Sequence, residues 1–231
     1  MVTEEQAWTH LYIDRGITAI IGSGGKTALL LALGAWFCRR GSVLLTTSTH
    51  IYPPEGIPWA EQVKKPLHAG DILAVGSPGP DGKLGAPVQS FSELNRLADY
   101  MFIEADGSKG LPLKAHAAHE PVIPKEARTV LAVVGLDGIG KPIRKAAHRP
   151  LLYAERLGCE PDAIVTVQMA ARIVNGYKGV TGVILNKADT MQRLSVAREL
   201  AVLLDRPVAI AALQSEPKFL ELWRNGTCWL L

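Results

Sequence analysis

The chain has 231 residues, 48% of them hydrophobic, which is enough to bury a full core and argues against disorder. Its 25 lysines and arginines nearly balance 22 aspartates and glutamates, and no long run of like charge or apolar residues occurs, so we expect no nucleic-acid partner and no membrane association. Three widely spaced cysteines (Cys38, Cys159 and Cys228) and a start without signal-peptide features predict a cytoplasmic protein.

Short apolar segments typical of buried strands recur along the chain, at 17–21, 42–46, 72–75, 100–103, 129–134, 179–185 and 208–213. Helical patterns lie between several of them, at 26–40, 92–98, 150–157, 162–174 and 190–204. This alternation predicts an α/β fold with a mainly parallel sheet and helices on both faces. We expect residues 1–231 to form a single domain, with an irregular proline- and glycine-rich excursion at about 51–90 that contains a hairpin turn at 80–83.

The first predicted strand runs through a glycine-rich turn into a predicted helix. Such a turn directs backbone N–H groups and the helix dipole at one point, which suits a phosphate. Lys26 would reach the terminal phosphates and Thr27 would offer its hydroxyl to Mg²⁺. Ile20 occupies the first glycine position of the usual G-x-x-x-x-G-K-[ST] spacing, so a plain strand–helix turn is the alternative, although the compact form resembles the P-loop of Mur ligases. We interpret the stretch as the nucleotide-binding loop of a three-layer P-loop NTPase-like fold, formed by Gly22, Ser23, Gly24, Gly25, Lys26, Thr27 and Ala28.

Two carboxylates follow the predicted strand at 100–103. Glu104 and Asp106 stand two residues apart, so both can face one metal ion, and we assign them with Thr27 to Mg²⁺ and with Lys26 to catalysis. Glu104 and Gly107 are also similar to the D-x-x-G switch of G-proteins, with glutamate in place of aspartate. The alternative is an ordinary acidic strand end before a turn.

An N-K-x-D sequence ends the predicted strand at 179–185. Asn186, Lys187 and Asp189 resemble the guanine-reading motif of GTPases, in which aspartate accepts hydrogen bonds that adenine cannot donate, so GTP is preferred over ATP. A capped turn before the next helix is the alternative. One further strand, at 208–213, is expected after this motif, and the loop that follows it could touch the base.

Two polar loops should overlook the nucleotide, because ligands of such sheets bind beyond the carboxyl ends of the strands. They contribute substrate or switch candidates, namely Thr47, Thr49, His50, Lys109, His119 and Glu120. A catalytic metal at His116, His119 and Glu120 is a further possibility, but their spacing differs from that of the known zinc motifs. This difference favours ordinary loop histidines.

Several longer blocks occur in order between Gly22 and Asp189: G-S-G-G-K-T, T-T-S-T-H-I, E-A-D-G-S-K-x-L-P-L-K, H-E-P-V-I-P, G-L-D-x-x-G-K-P, H-R-P and N-K-A-D. Together they resemble the YqeC family, described as accessory proteins of selenium-dependent molybdenum hydroxylases. The resemblance implies a P-loop nucleotide-binding protein whose partners are a molybdenum hydroxylase or the proteins that handle its cofactor. Asp137 and Lys141 match a family block and are further candidate site residues.

The leading hypothesis is Mg²⁺-dependent binding and slow hydrolysis of GTP or ATP in the maturation of such an enzyme. A kinase or ligase that transfers the phosphoryl group to a small acceptor is one alternative. A module that binds nucleotide or cofactor without turnover is the other.

Overall fold

The computed structural model describes residues 2–230 of the chain. Its helices are α1 (Glu4–His10), α2 (Lys26–Phe37), α3 (Phe91–Leu94), α4 (Ile143–Ala146), α5 (Pro150–Leu157), α6 (Val167–Asn175) and α7 (Met191–Val202). Its strands are β1 (Gly16–Gly22), β2 (Val43–Thr47), β3 (His50–Ile51), β4 (Trp59–Ala60), β5 (Ile72–Val75), β6 (Ser77–Pro78), β7 (Leu84–Gly85), β8 (Tyr100–Glu104), β9 (Leu113–Lys114), β10 (Thr129–Gly135), β11 (Ala147–His148), β12 (Gly182–Asn186), β13 (Val208–Ala211), β14 (Phe219–Arg224) and β15 (Thr227–Leu230). Short 3-10 turns occupy Pro80–Gly82 and Leu136–Gly138.

The main sheet has ten strands in the order β15-β14-β13-β12-β10-β1-β8-β2-β5-β4. All neighbours from β13 to β4 pair in parallel, and β14 and β15 add an antiparallel hairpin at the β13 edge. The strand that leads into the glycine-rich turn, β1, lies near the middle. Its carboxyl end therefore has parallel neighbours on both sides, which is where ligands of such sheets bind.

Helices cover both faces of the sheet. Successive residues of a strand point to opposite faces, so apolar residues of one strand contribute to two separate cores. In β1, Ala19 and Ile21 belong to the core shared with α5, α6 and α7. Ile20, between them, belongs to the core shared with α1 and α2. The structure thus confirms the predicted three-layer α/β fold with a mainly parallel sheet.

The carboxyl-terminal part of the sheet differs from the prediction of a single strand after the N-K-x-D motif. Three strands follow it, β13, β14 and β15. Glu221 interrupts the apolar pattern of β14, and it is nevertheless buried because Arg198 and the Trp223 indole donate hydrogen bonds to its carboxylate. Periodicity alone could not reveal a strand with a buried, paired charge at its centre.

The helix predicted at 162–174 begins later, at Val167. The Thr166 hydroxyl accepts from the Met169 backbone N–H at 3.2 Å and caps this helix. Helix α1 is missing from the predicted elements, although a capping box of Thr3 and Gln6 fixes its start.

The excursion also contributes to the sheets. Strands β4 and β5 join the main sheet, and β3, β7 and β6 form a small antiparallel sheet in which the turn at 80–82 joins β6 to β7. Ile51 and Leu84 anchor this small sheet in the core that contains α2. Within residues 2–230, no helix is long and apolar enough to cross a membrane.

Candidate functional site

The glycine-rich turn is packed so tightly that a residue with a side chain would not fit at its glycine positions. Gly22, Gly24 and Gly25 have φ values of 90°, 91° and 132°, which side-chain-bearing residues rarely adopt. A Cβ atom at Gly22 would lie 2.4 Å from the Val133 carbonyl oxygen, and one at Gly24 would lie 2.4 Å from Gly135 Cα. The loop is therefore pressed against the carboxyl end of β10.

Helix α2 begins at Lys26 without a side-chain cap. The first N–H groups of a helix have no intrahelical partner, and here no side chain from the cap position accepts from them. These groups and the helix dipole leave an electropositive position at the helix start, which is the arrangement that binds phosphate in other proteins.

The Lys26 ammonium is buried beneath the loop, where protein oxygen atoms surround it. Its Nζ donates to the Gly22 carbonyl at 2.9 Å and to Ser108 Oγ at 2.9 Å. It also lies 3.2 Å from Asp106 Oδ1 and 3.7 Å from Glu104 Oε1. Two carboxylates from the end of β8 thus compensate one buried cation, as the i and i+2 spacing predicts for side chains on one face.

The two carboxylates occupy different environments. Glu104 borders a cleft at the mouth of the loop and accepts from Thr27 Oγ1 at 3.2 Å. Burial raises the pKa of Glu104, the Asp106 charge raises it further, and the Lys26 ammonium opposes both. Glu104 and Thr27 are therefore the oxygen-bearing pair on the open side of Lys26.

Asp106 lies behind the loop and is completely buried. Its Oδ2 accepts from the Gly22 backbone N–H at 2.9 Å and lies 2.6 Å from His116 Nε2 and 3.4 Å from Lys114 Nζ. Burial alone would raise the pKa of Asp106, but the His116 hydrogen bond and the Lys26 and Lys114 charges outweigh it and hold the pKa below its usual value. Asp106 thus fixes the loop from within and does not reach the cleft.

A chain of charged groups continues from Asp106 to the surface. Lys114 Nζ, completely buried, lies 3.2 Å from Glu120 Oε1, and Arg149 Nε donates to Glu120 Oε2 at 2.9 Å. Burial opposes ionisation of Glu120, yet the Arg149 and Ala117 hydrogen bonds and the Lys114 charge lower its pKa to about 2. Sequence reasoning missed Lys114, Ser108 and Arg149. A lysine between two apolar segments in L-P-L-K-A is the signal that could have found Lys114.

The N-K-x-D residues reach the glycine-rich loop. Asn186 is buried; its amide donates to the Gly24 carbonyl at 2.9 Å, and its carbonyl accepts from the Leu213 backbone N–H at 3.1 Å. Lys187 pairs with Asp137 at 2.9 Å. Asp189 pairs with Arg193 at 3.0 Å and remains half exposed. The motif thus braces the loop through Asn186 and leaves Asp189 at the surface.

A cleft of about 540 Å³ opens above the loop, large enough for a small organic ligand. Three predicted candidates, Thr49, His50 and Lys109, line it. A second space of about 280 Å³ adjoins it at Asn186, Lys187 and Gln214, and it is bordered also by Asp189, Arg193 and the loop after β13.

Four other predicted substrate or switch residues do not line the cleft. Thr47 is buried and donates to the Glu104 carbonyl at 2.9 Å, and Glu120 belongs to the charged chain behind the loop. His119 and Lys141 are exposed and do not border the cleft. Within residues 2–230, no group of three or more His, Cys, Asp or Glu side chains is arranged to hold a metal ion.

These features define a class: an α/β protein of P-loop-like architecture, with the loop, a strand-end carboxylate and an N-K-x-D turn around one cleft. The chain belongs to the YqeC family, because the family model described as YqeC protein matches residues 18–151, more than half of the chain. It is also 31% identical over 188 residues to the uncharacterized protein YqeC of Escherichia coli (strain K12), with 73% of each chain covered. The resemblance identified from the sequence is thus confirmed, and the matched region contains the loop, Glu104, Asp106 and the charged chain up to Arg149.

The low pKa of Glu120 makes its contribution to stability pH-dependent. A folded-state pKa of about 2 against an ordinary value of 4.5 means that ionised Glu120 stabilises the fold above about pH 4.5, and that this stabilisation is lost as the pH falls towards 2. We expect Glu120→Gln to lower the free energy of unfolding by about 2 kcal/mol at neutral pH, and the difference from wild type to shrink as the pH falls from about 5 to about 2. Urea unfolding at several pH values measures this. Glu55→Gln, at an exposed glutamate, is the control and should have little effect at any pH; equal, pH-independent losses in both variants would contradict the assignment.

Proposed function

We propose that the protein binds a nucleoside triphosphate with Mg²⁺ at the glycine-rich loop and hydrolyses it slowly, as an accessory factor in the maturation of a selenium-dependent molybdenum hydroxylase. The observation that carries the nucleotide part is the set Lys26, Thr27 and Glu104, gathered at an uncapped helix start beside a cleft of about 540 Å³. The maturation role, and a hydroxylase or its cofactor-handling proteins as partners, follow from the family resemblance.

The side chains at the cleft fit a triphosphate and a hard cation. Backbone N–H groups and the Lys26 ammonium suit phosphate oxygens, and the Thr27 hydroxyl and Glu104 carboxylate suit Mg²⁺, which takes one or two protein ligands with water and phosphate. Of the two carboxylates predicted to face Mg²⁺, only Glu104 is retained as a metal ligand in this proposal, since Asp106 is enclosed behind the loop. Bound Mg²⁺ would neutralise charge on the phosphates.

The chain's own part in catalysis is to hold charge in place. Asp106 and Glu104 hold Lys26 in position before the nucleotide arrives, so little reorganisation is needed when phosphate oxygens compete for the ammonium. No arginine of the described residues lines the cleft, and Gln214 lies on the side of the N-K-x-D motif. Without an arginine near the terminal phosphate we expect slow hydrolysis that a partner accelerates.

The smaller space beside Asn186 and Asp189 is the proposed base site. Asp189 is half exposed and its only ion pair, among residues 2–230, is with Arg193 in the first turn of α7, so it can accept from a guanine without unfolding any element. GTP is therefore the preferred nucleotide in this proposal, with ATP as the weaker ligand.

A module that binds nucleotide without turnover is the second candidate. The observation that favours it is that protein groups already hold Lys26, through two hydrogen bonds and the ion pair with Asp106, so the loop is stable without any reaction. Tight binding with no phosphate release, with or without a hydroxylase partner, would select this candidate.

The phosphate assignment is tested at Lys26 and Thr27. We expect Lys26→Ala to weaken Mg·GTP binding by about 100-fold or more, because a charge-assisted contact to phosphate is lost. Thr27→Ala should remove most of the gain in affinity that Mg²⁺ confers; Thr27 is exposed, so this variant is expected to fold. Isothermal titration with and without Mg²⁺ measures both effects, and thermal unfolding checks the Lys26 variant, whose buried carboxylates lose their counter-ion.

Lys125→Ala, at an exposed lysine away from the cleft, is the matched control and should bind as wild type does. Unchanged nucleotide affinity in folded Lys26→Ala would overturn the phosphate assignment.

The base assignment is tested at Asp189. We expect Asp189→Asn to reduce the preference for GTP over ATP by about tenfold or more, with ATP affinity nearly unchanged, since the amide cannot replace both accepting oxygens. Competition of the two nucleotides for a fluorescent analogue measures the ratio, and Asp205→Asn, outside the cleft, is the control. A ratio equal to that of wild type would show that Asp189 does not read the base.

A further inference from the structure

The cleft extends from the loop both to the N-K-x-D residues and, on the opposite side, to the segment that follows β2. Strands β12 and β2 each lie two strands from β1, on opposite sides of it. Asn186 and Lys187, at the end of β12, border one side of the cleft, and residues that follow β2 border the other. A base near Asp189 and phosphates at Lys26 would occupy the β12 side and the centre, which leaves the β2 side open next to the terminal phosphate.

The β2 side of the cleft is formed by two neighbouring segments of the chain. It consists of Thr49, His50, Ile51, Tyr52 and Lys83, contributed by the segment after β2 and by the small sheet of β3, β7 and β6. We call these residues the far wall.

The far wall is fixed to the strand that carries Glu104. The Ser48 backbone N–H and the Thr47 hydroxyl both donate to the Glu104 carbonyl oxygen, at 3.1 Å and 2.9 Å. The pairing of Ile51 with Leu84 holds β3 against β7, and both side chains are buried in the core beside α2. The distance between the far wall and Glu104 is therefore set by the fold.

Among the polar side chains of the far wall, the Thr49 hydroxyl hydrogen-bonds with Thr47 Oγ1 at 3.3 Å, whereas the lysine is not paired with a carboxylate in the described part of the chain. Lys83 Nζ lies 5.0 Å from the centre of the Tyr52 ring, and within residues 2–230 neither Lys83 nor Lys109, which also borders the cleft, forms an ion pair. By contrast, Lys26 and Lys187, in the same cleft, are each paired with carboxylates. The cleft thus holds two uncompensated ammonium groups.

Two further side chains of the far wall, Tyr52 and His50, are exposed. Tyr52 is 63% exposed, and no hydrogen bond to a side-chain atom of His50 occurs in the part of the chain that the structure describes. The His50 ring lies over Gly79 and Gly85, where a Cβ would come within 3.4 Å and 3.8 Å of its Cδ2. A flat aromatic surface, an imidazole and two cations therefore surround the open space.

We propose that the far wall, together with Lys109, binds a second small molecule, an organic phosphate with a planar or aromatic part, beside the terminal phosphate of the nucleotide. Two ammonium groups balance a phosphate dianion, the Tyr52 ring offers a stacking surface, and His50 offers a hydrogen-bonding group at the rim. This inference rests on the proposed function, because the nucleotide sets which part of the cleft stays open.

The test uses the full chain saturated with Mg²⁺ and β,γ-imido-GTP, so that the loop is occupied, and phenyl phosphate as the probe. Saturation-transfer NMR and isothermal titration follow binding of the probe. We expect saturable binding to wild type, and binding about tenfold weaker in Lys83→Ala and in Tyr52→Ala. Lys65→Ala, an exposed lysine in the same excursion that does not border the cleft, is the matched control and should bind as wild type does.

The titration with the nucleotide analogue separates this inference from the proposed function. If the analogue itself does not bind wild type, the proposed function fails and the inference falls with it. If the analogue binds but phenyl phosphate does not, or if Lys83→Ala and Lys65→Ala bind the probe equally, the inference alone is overturned.

Discussion

The structure around the cleft depends on the compensation of one buried cation, the ammonium group of Lys26. A buried ammonium needs ionised partners, and the His116 hydrogen bond with the Lys26 and Lys114 charges holds the pKa of Asp106 below its usual value, so that Asp106 can be such a partner. Lys114 in turn needs Glu120, which Arg149 connects to solvent. This alternating series explains why so many charged residues between positions 104 and 149 lie inside the protein.

The same constraint links distant parts of the chain to the loop. Gly22 donates its N–H to Asp106, Gly24 packs on Gly135, and the Gly24 carbonyl accepts from Asn186. The ends of β8, β10 and β12 thus determine the shape of the loop, and a loop held on three sides is preorganised for a ligand. In our account this preorganisation lets phosphates replace the carboxylates as partners of Lys26 without a large rearrangement.

The central sheet could be predicted from the sequence because its strands are buried on both faces and consist almost wholly of aliphatic residues. The peripheral elements could not be predicted in this way. Glu221 interrupts the apolar pattern of β14, and α1 is too short for a clear periodicity. At the site, the spacing of Glu104 and Asp106 predicted that both approach one centre. It could not predict that this centre is the Lys26 ammonium, or that Asp106 is enclosed, because Lys114 and His116 reach Asp106 only through the path of the loop after β8. The role of Asn186 as a brace likewise depends on a contact across 162 residues of sequence.

The most direct test of the account is a crystal structure of the protein with Mg²⁺ and β,γ-imido-GTP. We expect the phosphates to lie in the loop, Lys26 Nζ to turn and hydrogen-bond with phosphate oxygens, and Thr27 and Glu104 to face the metal. Asp106 should keep its contacts to Gly22 and His116. Phosphates bound elsewhere, with Lys26 still held by Asp106 and Glu104 and the loop empty, would contradict it.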